Sequence, residues 1–149
     1  MSVTITKNYT VIGHLTSADL SQLADFEALK EELSIVNGSF VTLGKGFLYG
    51  GKNVHVRDTM LLAPGGSKQL SKIGGLYPGF EKLTVAQTDL ENMTGYLERD
   101  RQGFIAYALR DAVITLVHAM WMSDFNFSIG GTGVPISLSS VGRRYVKSI

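Results

Sequence analysis

Tyr107 and Asp111 stand four residues apart in the run Phe104-Ile105-Ala106-Tyr107-Ala108-Leu109-Arg110-Asp111-Ala112-Val113-Ile114-Thr115. On a helix, positions i and i+4 share a face. A phenol and a carboxylate therefore project side by side from an element that otherwise reads as core. A carboxylate removed from water needs a cation beside it. A lysine or arginine would make the pair structural. A divalent metal ion would make it part of a metal-assisted hydrolytic site. His118 lies seven residues beyond Asp111 and falls on the same face, with Thr115 near it.

Two further carboxylates sit where an α/β chain builds sites, just beyond the carboxyl end of a strand. Asp19 follows the strand-like Val11 to His14 and opens a helical stretch. Its structural alternative is an N-cap or a first-turn carboxylate favoured by the helix dipole. Asp58 ends Val54-His55-Val56-Arg57, and its alternatives are a turn residue or an ion pair with Arg57. Asp25-Phe26-Glu27 has the form of a two-carboxylate metal motif but lies inside a helical stretch. Residues two apart on a helix do not face each other, so it reads as surface charge.

The elements that must position these groups follow from hydrophobic periodicity. Residues 2–6 and 9–13 read as short strands. Leu20, Leu23, Phe26, Leu29 and Leu33 recur at helical spacing, with Ser17 or Asp19 as the cap. Asn37-Gly38 marks a turn. Strands are expected at 40–43, 47–49 and 54–58, with Gly50-Gly51 turning into the last. In that strand Val54, Val56 and Asp58 share one face and His55 and Arg57 the other. Ser67 is placed as the cap of a short helix over 68–74 with Leu70 and Ile73 inward. An irregular connection covers 76–88. Helices are expected over 89–100, 101–121 (the dominant one, read as a buried core helix) and 137–149.

The chain has 149 residues, suiting one domain. It is 44% hydrophobic, with a mean hydropathy of +0.12, enough for a sizeable core. Its net charge of +1 provides no global basic field, so any nucleic-acid contact must come from a local groove. The absence of cysteine excludes disulfides, zinc fingers, thiol nucleophiles and iron–sulfur clusters. The 104–122 run approaches the length of a membrane span but is interrupted by Tyr107, Arg110, Asp111 and His118. No signal peptide is evident. Phosphate-loop, His-Glu-x-x-His and Gly-x-Ser-x-Gly motifs are missing, and Gly130-Gly131-Thr132-Gly133 reads as turn glycines. The fold class is α/β, a mixed sheet flanked by helices.

Taken in order, His14-Leu15-Thr16-Ser17-Ala18-Asp19, then Val56-Arg57-Asp58-Thr59-Met60 through Lys82, then Tyr107-x-x-x-Asp111 form a series. It resembles the 3′→5′ proofreading exonuclease domain of family B DNA polymerases, above all the protein-primed kind of phages, linear plasmids and viruses. The resemblance covers roughly residues 9–149. It implies a ribonuclease H-like fold lacking its first strand, so that residues 1–149 make a partial exonuclease domain. It also implies that Asp19 of the second motif and Asp111 of the third are metal ligands, and that Tyr107 places the attacking water and the scissile phosphate. His14, Thr16, Thr59, Met60 (where the family has Leu) and Lys82 would contact DNA.

Two departures accompany it. Leu15 or Thr16 and Ala18 stand where the second motif usually has an Asn and an aromatic residue. The Asp-x-Glu of the first motif has no counterpart in Met1 to Asn8, and the polymerase palm is not in the chain. The implied cofactor is Mg²⁺ or Mn²⁺, held by four acidic residues of which this chain supplies two. The implied partners are a single-stranded DNA 3′ end and an upstream polymerase segment that completes the site, with no membrane. The implied location is the mitochondrion, for an organellar plasmid, or the host cytoplasm. The expected result is a chain inactive alone. The competing expectation is a non-catalytic nucleic-acid-binding or interaction module that keeps the fold.

Overall fold

The computed structural model describes residues 7–149. The strand expected at 2–6 lies outside the described residues. The chain runs β1 (Asn8–Gly13), α1 (Thr16–Leu20), α2 (Phe26–Leu29), a 3-10 turn, β2 (Ser34–Val36), β3 (Ser39–Val41), β4 (Phe47–Tyr49), β5 (Lys52–Asp58), a second 3-10 turn (Thr59–Leu62), α3 (Leu70–Gly74), α4 (Gln87–Glu91), α5 (Met93–Arg99), α6 (Arg101–Ser128) and α7 (Leu138–Ser148).

Both hairpins follow from local sequence. Asn37 and Gly38 have φ of 48° and 81°, and Gly50 and Gly51 have 55° and 74°. Two successive positive φ angles give the turn whose twist matches antiparallel strands. The first joins β2 to β3 with Ser34 opposite Val41; the second joins β4 to β5 with Phe47 opposite Val54. β1 runs parallel to β5 with Asn8 opposite Asn53 and Gly13 opposite Asp58. The result is an open, mixed, three-stranded sheet in the order β1-β5-β4, flanked by helices, with β1 at one edge among the described strands.

The expected alternation of β5 holds. Val56 and Asp58 are buried on one face, while His55 and Arg57 occupy the other. Arg57 does not pair with Asp58. Its guanidinium donates to Thr42 O, Thr42 Oγ1, Val56 O and Val134 O, tying β3 and the loop after α6 to the sheet.

Four expectations about helices need correction. Residues 20–33 do not form one helix. Ser21 Oγ bonds back to Ala18 O, ending α1, and Asp25 is held by the Tyr49 hydroxyl, so the chain restarts at α2. The leucine period still does its work: Leu20, Leu23, Leu29 and Leu33 face Val54 and Val56 across an apolar pocket of about 220 Å³. Neither Ser17 nor Asp19 caps α1, and Ser67 does not cap α3, which begins after Gln69. The 89–100 region is two helices, α4 and α5, split at Asn92, which caps α5 by accepting from Gly95 N. Asp100 caps α6 in the same way.

The fourth correction concerns α6. It is not a core helix all round. Its length and mean hydropathy would suit a membrane crossing, but Tyr107, Ile114, Thr115, His118 and Ala119 form one buried stripe, while Leu109, Leu116, Met120, Trp121 and Phe127 are exposed. Ile114 packs with Ala63 and Ile73 in the centre of the core, joined by Leu70 and Tyr77.

His118 sits on this stripe as a structural group. Tyr77 OH donates to Nδ1 (2.7 Å), and Nε2 donates to Leu62 O (3.3 Å). Burial holds His118 below its ordinary value of 6.5, partly offset by the Leu62 carbonyl. The unfolded chain therefore takes up this proton more readily than the folded one. The stability this contributes is present above the unfolded value and is lost as pH falls through the folded value. Thermal melts followed by circular dichroism should show a midpoint that drops between about pH 7 and pH 5, with part of that slope absent from His118→Gln.

Candidate functional site

Asp58 organises the region where the expected site residues meet. It is fully buried and accepts hydrogen bonds on both oxygens. Oδ1 accepts from Leu15 N (3.1 Å) and Met60 N (2.9 Å). Oδ2 accepts from Thr16 N (2.8 Å) and Thr16 Oγ1 (2.9 Å). One carboxylate thus caps α1 from across the sheet and the 3-10 turn from its own strand. The sequence reading of Asp58 as a turn residue saw only the second role. Its partners at 15 and 16 lie more than forty residues away, and pairing of that kind has no local signature.

This capping holds Leu15 at φ 70°, ψ 56°, a left-handed conformation unusual for a residue with a branched side chain. The bend turns the chain sharply between His14 and Thr16. His14 Nδ1 lies 2.9 Å from Thr59 Oγ1, and that hydroxyl gives its proton to Gly13 O. Thr59 therefore accepts from His14, which fixes the imidazole orientation. Burial pushes His14 below its ordinary value, Asp58 pulls it back up, and weaker influences come from Lys82 and Asp111. Asp19 extends from α1 near Gly13. Burial first, then the negative charge of Asp58, raise its carboxyl above the usual range, with His14 acting in the opposite sense.

The third-motif pair is met from the irregular 76–88 connection. Lys82 Nζ lies 2.9 Å from Asp111 Oδ2, with both side chains about a quarter exposed, and stands 4.9 Å from the centre of the Tyr107 ring. Asp111 thus has the cationic partner that its burial requires. Burial pulls Lys82 down, but its interactions with Tyr107 and Asp111 outweigh this and leave it above its ordinary value. The other oxygen, Asp111 Oδ1, is buried with no hydrogen-bond partner among the described residues. A pocket of about 230 Å³ opens beside this trio, lined by Ser71, Lys82 to Val85, Leu90 and Tyr107.

Of the expected site residues, Lys82, Tyr107 and Asp111 are brought into direct contact, and His14 is bonded to Thr59. Thr16 is committed to Asp58 and to Phe40 O, and Met60 contributes its backbone N–H to the same carboxylate. His118 lies on the same side of α6 as the sequence placed it, but its ring nitrogens are engaged by Tyr77 and Leu62 in the core.

Asp19 and Asp111 offer oxygen donors of the kind hard divalent ions take, and the orphaned Asp111 Oδ1 is one open position. Among the described residues, however, no group of three or more acidic or histidine side chains gathers as a metal site, and Lys82 already neutralises Asp111. The described residues alone do not fit a two-ion centre.

No family model matches the chain, and no solved structure matches it. Over 74 residues, 49% of its length, the chain is 46% identical to the primer-independent DNA polymerase PolB of Escherichia coli. The chain spans only 8% of the length of that polymerase. This partial similarity relates the chain distantly to the family B DNA polymerases.

Proposed function

We propose that this chain is a segment of the 3′→5′ proofreading exonuclease domain of a protein-primed family B DNA polymerase. In this reading the mixed sheet belongs to a ribonuclease H-like fold, and the chain holds one half of a site for a single-stranded DNA 3′ end. The observation that carries it is the meeting of Lys82 with Tyr107 and Asp111. Lys82 comes from the irregular 76–88 connection and Tyr107 and Asp111 from α6, and the three meet through an ion pair and a cation–ring contact. The similarity to the bacterial polymerase supports the coarser part of this reading, a distant relation to a DNA polymerase.

The chain's own groups have definable roles in it. Lys82 keeps a positive charge at the floor of the 230 Å³ pocket, where a DNA phosphate would lie. Tyr107 presents a hydroxyl and a ring beside it. His14, oriented by Thr59, and Asp19, near Gly13, are not in the wall of this pocket and would meet the DNA end and the metal ion from the β1 side. Mg²⁺ or Mn²⁺, when bound, would supply charge stabilisation and a nucleophilic water. The further carboxylates such a centre needs would come from a polypeptide segment pairing along the edge of β1. A second reading is favoured by the neutralised Asp111: a nucleic-acid-binding module that does not cleave.

The test is binding of a short single-stranded oligonucleotide in the presence of a chelator, followed by fluorescence anisotropy. Lys82→Met should weaken binding about tenfold, because it removes a cation and leaves Asp111 to repel phosphate. A blunt duplex should bind more weakly than the single strand. Equal affinity of the variant and the parent chain, or a preference for duplex, would count against a DNA-end site here.

A further inference from the structure

On the face of β5 opposite Asp58, a pocket of about 340 Å³ is lined by Asn8, Thr10, His55, Arg57 and the 132–134 loop, with no acidic residue in its wall among the described residues. We propose that it is an oxyanion site that takes a phosphate group. The charge comes from Arg57. All four of its hydrogen bonds go to neutral acceptors, made by Nε and one terminal nitrogen, Nη1. Its other terminal nitrogen, Nη2, bonds nothing among the described residues. A half-buried guanidinium with no carboxylate beside it among the described residues keeps the two N–H groups of Nη2 for an oxyanion.

The neighbouring groups are also biased towards donation. The Asn53 side-chain amide donates to Asn8 Oδ1 (2.8 Å) and reaches His55 Nε2 (3.3 Å). An amide nitrogen has no lone pair to offer, so His55 Nε2 accepts and the proton resides on Nδ1. That Nδ1 is buried with no hydrogen-bond partner among the described residues. The acceptors that could have answered these donors are already engaged. Asn126 Nδ2 takes Thr132 O (3.3 Å) and Gly133 O (2.9 Å), and Arg57 Nε takes Val134 O (2.9 Å). Asn126 is itself 1% exposed and held by Arg144. Gly131 permits this clasp, since a Cβ there would sit 2.3 Å from Asn126 Oδ1. The loop is therefore strapped down before any ligand arrives. What remains is a half-buried positive charge and surplus donors around a polar hollow of about 340 Å³, and a partly desolvated charge without a counterion favours an anion beside it.

The phosphate group has two sources, free phosphate or the backbone of a nucleic acid. Because the pocket lies on the other sheet face from Asp58, its failure would leave the DNA-end reading untouched. The test is a titration of the whole chain with inorganic phosphate, followed in ¹⁵N-correlated spectra. Saturable shifts are expected at Arg57 Nε, His55 and residues 132–134. Thr10→Glu, a change on an exposed strand position, provides an internal carboxylate. It should weaken phosphate binding about tenfold or more and raise the melting temperature, because it pairs the guanidinium. Competition by a short oligo-thymidylate would assign the site to nucleic-acid backbone; its absence would assign it to free phosphate. The proposal is overturned if phosphate produces no saturable shift at these residues, or if Thr10→Glu binds phosphate as the parent does.

Discussion

Asp58→Ala is expected to destabilise the folded chain by about 3–5 kcal/mol, among the largest effects a single substitution produces. The reason is the number of groups that depend on one side chain. Removing the carboxylate leaves the N–H of Leu15, Thr16 and Met60 and the Thr16 hydroxyl without that acceptor. Each buried donor left unpaired costs on the order of 1–3 kcal/mol, softened where Thr16 can still use Phe40 O. Leu15 would also be released from a left-handed conformation that isolated backbone disfavours. Asp58→Asn restores the volume but returns only one acceptor oxygen and turns an amide N–H₂ towards donors. It should recover only part of the loss. Chemical denaturation of both variants measures this. A cost below about 1 kcal/mol for Asp58→Ala would mean the capping is not structural. Because α1 and the Thr59 turn are both anchored on Asp58, the same substitution should disturb His14 and Asp19 without touching either.

How far the sequence revealed this arrangement depended on whether the signal was local. The Asn37-Gly38 and Gly50-Gly51 turns require positive φ and were legible at once. So was the alternation that sends Val56 and Asp58 to one face of β5 and Arg57 to the other. The shared face of Tyr107 and Asp111 followed from helix geometry, and the need of Asp111 for a cation followed from its apolar surroundings. Lys82 as that cation was not legible from spacing, because the irregular connection carrying it has no periodicity.

The long-range hydrogen bonds were hidden altogether. Asp58 reads as a turn residue because its own turn is real; its partners at Leu15 and Thr16 arrive through the parallel pairing of β1 with β5. The leucine period at 20–33 correctly named the face that meets the sheet. It missed the breaks, which Ser21 and Asp25 cause through bonds to Ala18 and Tyr49. On α6 the apolar composition suggested burial on every side, while the body it packs against covers a single stripe.

The most direct test of the proposed half-site is cleavage. The chain alone, given Mg²⁺ and a single-stranded oligonucleotide, should shorten it negligibly, because Asp19 and Asp111 are two of the four acidic groups the resemblance calls for and Lys82 already neutralises one of them. Addition of a polypeptide that carries the Asp-x-Glu strand of the first motif should restore 3′→5′ shortening. Asp111→Ala and Asp19→Ala should each abolish the restored activity by roughly a thousandfold or more, as expected for groups that act as a unit. Robust Mg²⁺-dependent shortening by the chain alone, abolished by Asp111→Ala, would contradict the half-site. No shortening with the added polypeptide would contradict the exonuclease reading and leave the nucleic-acid-binding module.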